Sequence, residues 1–234
     1  MGRVIAIAGG DLETTRPINS YAVGMLKSET KNALFIGTAS LDAEEYRKRF
    51  EKEFTDLGCE VKTLELATRL YTEEEIGELL KWADLIYVGC GDTIFMRNVW
   101  KEYGLDKLLR GIYEIDSAVL MGLSAGAMCW FVCGCTDSEL IKRKHGLSYG
   151  WADELLGMEP YGFCPHYESR EEDFQILIEE KKMDMYALES GVAFVEENGK
   201  ISFVRCKAEA KAFALKWEDD IRYVKTEQDV KSLE

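Results

Sequence analysis

The chain has 234 residues, 47% of them hydrophobic, enough for one large α/β domain with a substantial core. It carries 29 basic and 43 acidic side chains, a net charge of −14, which argues against nonspecific binding to nucleic acid or to an anionic membrane. Only 3 prolines occur, with no low-complexity linker and no internal repeat, so a single domain over residues 1–234 is expected.

Val4–Ala8 reads as a first parallel strand, followed by a Gly9-Gly10 turn. No signal peptide is expected, since the strand begins at once, and no apolar run approaches the ~20 residues of a membrane helix. A cytoplasmic protein is the expectation. Residues 18–29 are weakly helical, and Ala33–Ala39 is a second buried strand. An amphipathic helix follows, with Asp42 as its expected cap, Ala43, Tyr46, Phe50, Phe54 and Leu57 on one face, and Gly58 at its end. Val61–Leu66 forms a third strand. Thr72-Glu73-Glu74-Glu75 opens another helix with acids in its first turn. Leu85–Val88 is a fourth strand and residues 117–123 a fifth.

Strands alternating with helices predict a mostly parallel sheet with helices on both faces. Beyond residue 132 the pattern changes. Residues 170–182 look helical and Met185–Glu189 looks like a strand. Val192–Val195 and Lys200–Val204 flank Asn198-Gly199, a type I′ hairpin signal. Ala210–Lys216 and Ile221–Lys225 pair around Asp219-Asp220, and residues 226–234 are expected to fray. The C-terminal third thus adds antiparallel strands. They offer a possible interface, and monomer and homodimer both stay open.

The chain is organised around residues 117–131. An apolar strand runs into Gly122-Leu123-Ser124-Ala125-Gly126, followed by a stretch rich in Ala, Met and aromatics that reads as helix. G-x-S-x-G between strand and helix suits a nucleophile elbow, which lifts a serine hydroxyl above the sheet edge at a helix N-terminus. Isolated, the motif is more often a serine cap; its context reverses that preference. In parallel sheets ligands bind at the carboxyl ends of strands, which gathers the Gly9-Gly10 turn, the Gly89–Thr93 turn and Ser124 on one edge.

A serine nucleophile needs a base. Of the 2 histidines, His145 follows Lys142-Arg143-Lys144 and reads as a solvated loop residue. His166, in Cys164-Pro165-His166-Tyr167 at the end of an apolar strand, is the favoured base. Asp137, Glu139, Asp153, Glu154 and Glu159 all stand as candidates to orient it, because composition does not choose among acids. Ala125 and Gly91 are the candidate oxyanion donors. The 7 cysteines fit reduced, buried thiols better than a disulfide framework. Cys133, Cys135, Cys164 and His166 form an alternative zinc set, with a spacing that is not the usual one.

Together these pieces resemble peptidase family S51, which includes the aspartyl dipeptidase peptidase E and the cyanophycinases. The resemblance rests on Gly9-Gly10, Tyr87-Val88-Gly89-Cys90-Gly91-Asp92-Thr93, Gly122–Ala127, Thr136-Asp137-Ser138 and Cys164-Pro165-His166-Tyr167 with Arg170, and covers about residues 4–216. It implies an α/β fold like the class I glutamine amidotransferases, with Ser124 as nucleophile, His166 as base and Asp137 as third member, Glu139 being the reserve. It implies Gly91 and Ala125 as oxyanion hole and Arg170 as the arginine that binds a substrate carboxylate. The implied substrate is a small peptide, foremost an N-terminal aspartyl dipeptide, with isopeptides open as in the cyanophycinases, and no metal or organic cofactor is required. One departure stands out. The family's Gly-Gly-Gly-Asn-Thr turn is Gly-Cys-Gly-Asp-Thr here, and Asp92 at the pocket's edge opposes an acidic substrate by ~1–4 kcal/mol or recruits an α-amino group.

Overall fold

The computed structural model describes residues 2–138, 148–218 and 222–233. Its centre is a parallel sheet of β1 (Arg3–Ile7), β2 (Lys31–Ile36), β3 (Cys59–Leu64), β4 (Leu85–Val88) and β5 (Val119–Leu123), in the order β1-β5-β4-β2-β3. Both faces of this sheet are covered, so β4, β5 and the inner residues of β1 and β2 are buried in unbroken runs rather than at alternate positions, while the edge strand β3 keeps polar residues. In β1, Val4 and Ala6 face one core and Ile5 and Ile7 the other. α1 (Arg16–Gly24) and α2 (Glu44–Asp56) cover one face, through Ile18, Ala22, Phe50 and Phe54. α3 (Glu73–Trp82), α4 (Thr93–Tyr103) and α5 (Leu105–Ile115) cover the other, through Ile76, Leu80, Trp100 and Leu109.

The helix starts have local causes. The Thr72 hydroxyl accepts from Glu75 N–H while the Glu75 carboxylate accepts from Thr72 N–H, closing a capping box on α3. Asp42 does not cap α2 as expected. The preceding turn puts Leu41 and Asp42 at positive φ, and the Asp42 carboxylate accepts from the N–H groups of Ala67 and Thr68 instead.

β10 (Val192–Glu197) and β11 (Lys200–Arg205) extend the central sheet antiparallel to β1, joined at Asn198 and Gly199 with φ of 54° and 76°, as a type I′ turn requires. Of the tail expected to fray, residues 226–233 are described and are more ordered than expected: Lys231–Ser232 pairs with β11 as β14. The helix expected from Ala125 to Phe131 is one turn only, α6 (Ala125–Met128), because Phe131–Thr136 leaves it as β6. β6 belongs to a second, six-stranded sheet in the order β13-β12-β9-β8-β6-β7, with β7 at Gly150–Ala152, β8 at Glu159–Cys164, β9 at Met185–Leu188, β12 at Ala212–Glu218 and β13 at Arg222–Glu227. α7 (Tyr167–Leu177) follows β8 and packs on this sheet through Phe174 and Leu177. The residues after 132 therefore build a separate layer rather than only edge strands. Among the described residues no helix is long and apolar enough to cross a membrane.

Candidate active site

Ser124 stands between β5 and α6 with φ 54° and ψ −105°, a conformation that is rare for a residue with a Cβ. The elbow is held tight by its glycines. A Cβ on Gly122 would lie 2.1 Å from Gly126 O, and one on Gly126 would lie 2.1 Å from Val88 O. The Ser124 N–H donates to Ile7 O at 2.9 Å, tying the turn to β1.

His166 precedes α7, also at positive φ (52°). Its Nε2 lies 2.9 Å from Ser124 Oγ, and its Nδ1 lies 3.1 Å from Ser190 Oγ. With the proton on Nδ1, Ser190 accepts from the ring and Nε2 accepts the Ser124 hydroxyl proton. Gly9 lies directly beneath the ring: a Cβ there would come within 2.4 Å of Nδ1 and 2.5 Å of Ser190 Oγ. Behind Ser190 stands Glu168. Its carboxylate accepts from Ser190 N–H at 3.1–3.2 Å and lies within reach of the Ser190 hydroxyl. Burial works to raise the Glu168 carboxyl, but the Ser190 bonds, the Glu168 N–H and the nearby imidazole outweigh it and hold it below the ordinary range.

The acids expected from sequence stand elsewhere. Asp137 is not the partner of Nδ1. Its side chain is 54% exposed and its Oδ1 lies 3.8 Å from Arg170 Nη2. Asp153 pairs with Lys181 and Glu154 with Lys101, both at the surface, and Glu159 is buried beside Tyr113. Glu139 and His145 lie outside the described residues. A sequence search for a charged partner of the histidine does not find Ser190, because it is not an acid. The only local signal is its place after Glu189 and before Gly191, at the mouth of β10.

Arg170 is buried. Its Nη1 donates to Cys135 O, its guanidinium lies 4.9 Å over the Tyr149 ring, and its Nε has no partner among the described residues. Asp92 is not free at the pocket's edge, as the sequence suggested. It caps α4, Oδ1 accepting from Ile94 and Phe95 N–H at 2.9 Å, and it takes the Ser138 hydroxyl on both oxygens. Among the described residues, the N–H groups of Gly91 and Ala125 have no hydrogen-bond partner. Both belong to turns that meet at the elbow, since Gly126 packs on Val88 and Gly89.

The alternative zinc set does not assemble. His166 is engaged by two serines, and among the described residues no three His, Cys, Asp or Glu side chains converge as a metal cage would need. The thiols are free and mostly buried, Cys90 being half-buried.

Burial, then the Arg170 charge, hold the His166 imidazolium below its ordinary 6.5, while Glu168 opposes them. If neutral His166 is the working form, the acid limb of kcat/KM lies below pH 6.5. The limb is expected to move up in Arg170→Gln and further down in Glu168→Gln, measured as a pH profile with a neutral ester substrate. A limb unmoved by either change contradicts this electrostatic picture.

The comparisons speak to the family and the fold. The sequence model of peptidase family S51 matches residues 4–204. The uncharacterised peptidase YgaJ of Bacillus subtilis (strain 168) is 32% identical over 223 residues, covering 91% of each chain. Among solved structures, a protein of Listeria monocytogenes EGD-e assigned as a peptidase E superposes with a TM-score of 0.66 at 22% identity, covering 88% of this chain and 98% of that one. A peptidase from an acI-B1 Actinobacterium gives 0.65 at 20% identity, over 97% and 94%. At those identities the structural likeness speaks for the fold.

Proposed function

Because the chain belongs to peptidase family S51, we propose that it hydrolyses small peptides with Ser124 as nucleophile and His166 as general base, and that its foremost substrates are N-terminal aspartyl dipeptides. The observation that carries this reading is the 2.9 Å Ser124–His166 pair on a strained elbow.

Ser124 Oγ attacks the peptide carbonyl carbon and its proton passes to His166 Nε2. The oxyanion that forms takes the free N–H groups of Gly91 and Ala125, strengthened by the N-terminal end of α6. His166 then gives its proton to the leaving amine as the C–N bond breaks. Water, deprotonated by the same nitrogen, releases the acyl group from Ser124. Ser190 accepts the Nδ1 proton's hydrogen bond and so fixes the tautomer. The Glu168 carboxylate behind it supplies the negative charge that a triad carboxylate supplies directly. No step uses a metal or organic cofactor.

Arg170 suits the side-chain carboxylate of the substrate. It is buried, close enough to lower the His166 proton affinity, and has donor capacity left on Nε. Its contact with the exposed Asp137 is long, at 3.8 Å, and a substrate carboxylate displaces it. Asp92 opposes an acidic substrate less than a free carboxylate would, because two N–H groups and a hydroxyl already solvate it. Hydrolysis of X-Leu dipeptides, with X as Asp, Glu, Asn, Lys or Ala, tests the assignment. Asp-Leu is expected to be cut fastest. A preference for Lys or a neutral residue would remove the aspartyl assignment and leave the serine chemistry standing.

A further inference from the structure

A second pocket opens beside the elbow, on the α1/α2 face of the sheet. It holds about 330 Å³ and is walled by Leu12, Ala43, Tyr46, Cys90 and Leu123. Three of the segments that frame Ser124 contribute to it. Leu123 directly precedes the nucleophile, Cys90 directly precedes the oxyanion donor Gly91, and Gly10 follows the Gly9 that lies under the His166 ring. Its walls are fixed. Leu12 and Leu123 are buried, and the Tyr46 hydroxyl accepts from Cys90 N–H while its ring meets Phe35 edge-on. Burial pushes the Cys90 thiol up, so this wall stays uncharged at neutral pH.

Three charges stand at the rim: Asp11, Glu45 and Arg49. The two acids already have local electrostatic support. Asp11 Oδ1 accepts from Thr14 N–H and from the Thr14 hydroxyl, which hold the carboxyl below its usual range. Glu45 sits in the first turn of α2, where the helix dipole favours negative charge. Arg49 lies one turn further along α2 and makes no hydrogen bond or ion pair among the described residues. Beyond a weak attraction to Asp11, its guanidinium is uncommitted. An apolar cavity with one open guanidinium at its lip suits an apolar amino acid that carries a free carboxylate.

We propose that this pocket is the leaving-group subsite: it takes the apolar side chain of a dipeptide's second residue, and Arg49 takes that residue's terminal carboxylate. The inference rests on the serine-peptidase reading above, which seats the first residue at Arg170. The pocket's lining includes neither Arg170 nor its partners Asp137 and Tyr149, so it is free for the other half of the scissile bond. The arrangement makes the enzyme selective for dipeptides, because a longer peptide carries no carboxylate at that position.

The test has a kinetic and a binding arm. In the first, wild type and Arg49→Gln are compared on Asp-Leu and on Asp-Leu amide. Wild type is expected to favour the free acid by about tenfold or more in kcat/KM, and in Arg49→Gln the ratio of acid to amide is expected to fall to near one. Ala43→Phe, which fills the cavity from its exposed edge, is expected to slow Asp-Phe more than Asp-Gly. In the second arm, calorimetry measures Asp-Leu binding to Ser124→Ala with and without Arg49→Gln, and a loss of about tenfold or more is expected. Equal cleavage of acid and amide by wild type, or an equal effect of Arg49→Gln on both, overturns the subsite. Arg49-dependent binding without any hydrolysis by wild type would keep the subsite and sink the peptidase mechanism.

Discussion

Ser124→Ala and His166→Ala are each expected to lower kcat on Asp-Leu on the order of 10⁴-fold or more, and the double variant is expected to fall no further. The reason is the 2.9 Å contact between Oγ and Nε2, which makes the two side chains one device. Without the base the hydroxyl keeps its proton, and without the hydroxyl the base has nothing to activate. Residual hydrolysis above the uncatalysed rate would come from Gly91, Ala125 and Arg170, to which the proposed mechanism gives the oxyanion and the substrate carboxylate. Neither substitution creates a large core cavity, since both side chains are only half-buried. The thermal midpoints are therefore expected to stay near wild type, which separates chemistry from folding. Additive losses in the double variant would show that Ser124 and His166 act independently.

The second large effect concerns stability. Glu159 is 3% exposed at the start of β8, beside the buried Glu196 and 3.4 Å from Tyr113 Oη. Burial, then the like charge of Glu196, push its carboxyl up from 4.5 to about 7. A carboxyl whose folded pKa is raised binds its proton more tightly in the folded state. Its contribution is complete below the unfolded pKa and is lost as pH rises through about 7. The shift corresponds to roughly 3 kcal/mol, an upper figure because the pair relaxes as it ionises. Glu159→Gln keeps the shape and removes the charge. It is expected to leave stability near wild type at pH 4.5 and to raise it at pH 8, measured by urea denaturation at both values. Equal stabilities at pH 8 would show that Glu159 ionises without cost and that the site is wetter than its burial implies.

Much of this architecture is visible in the residues alone, for reasons that are local. β1, β2, β4 and β5 are short apolar runs that only a two-sided parallel sheet tolerates, and Asn198-Gly199 dictates its own turn. The elbow is visible because the close approach of Gly122 to Gly126, and of Gly126 to β4, demands glycine. The second sheet is hidden because Ala125–Phe131 has helical composition while its strand partners lie far along the chain. α4 and α5 are hidden for a different reason. Gly104 divides them, with φ 64° ending one helix and starting the next, so neither shows a long period. The partner of the His166 ring is the instructive case. Chemistry asks for negative charge behind His166, and a search for charge finds Asp137 and Glu139. The fold delivers it in two steps, a neutral Ser190 on Nδ1 and Glu168 behind Ser190, and no spacing in one sequence announces such a relay.

The most direct test is the mass of the protein itself, quenched in acid during turnover of an activated aspartyl ester. An added aspartyl acyl mass is expected on the peptide that contains Ser124, formed in a burst before steady state and absent from Ser124→Ala. An unmodified Ser124 throughout turnover, together with undiminished hydrolysis by Ser124→Ala, would contradict the Ser124 mechanism.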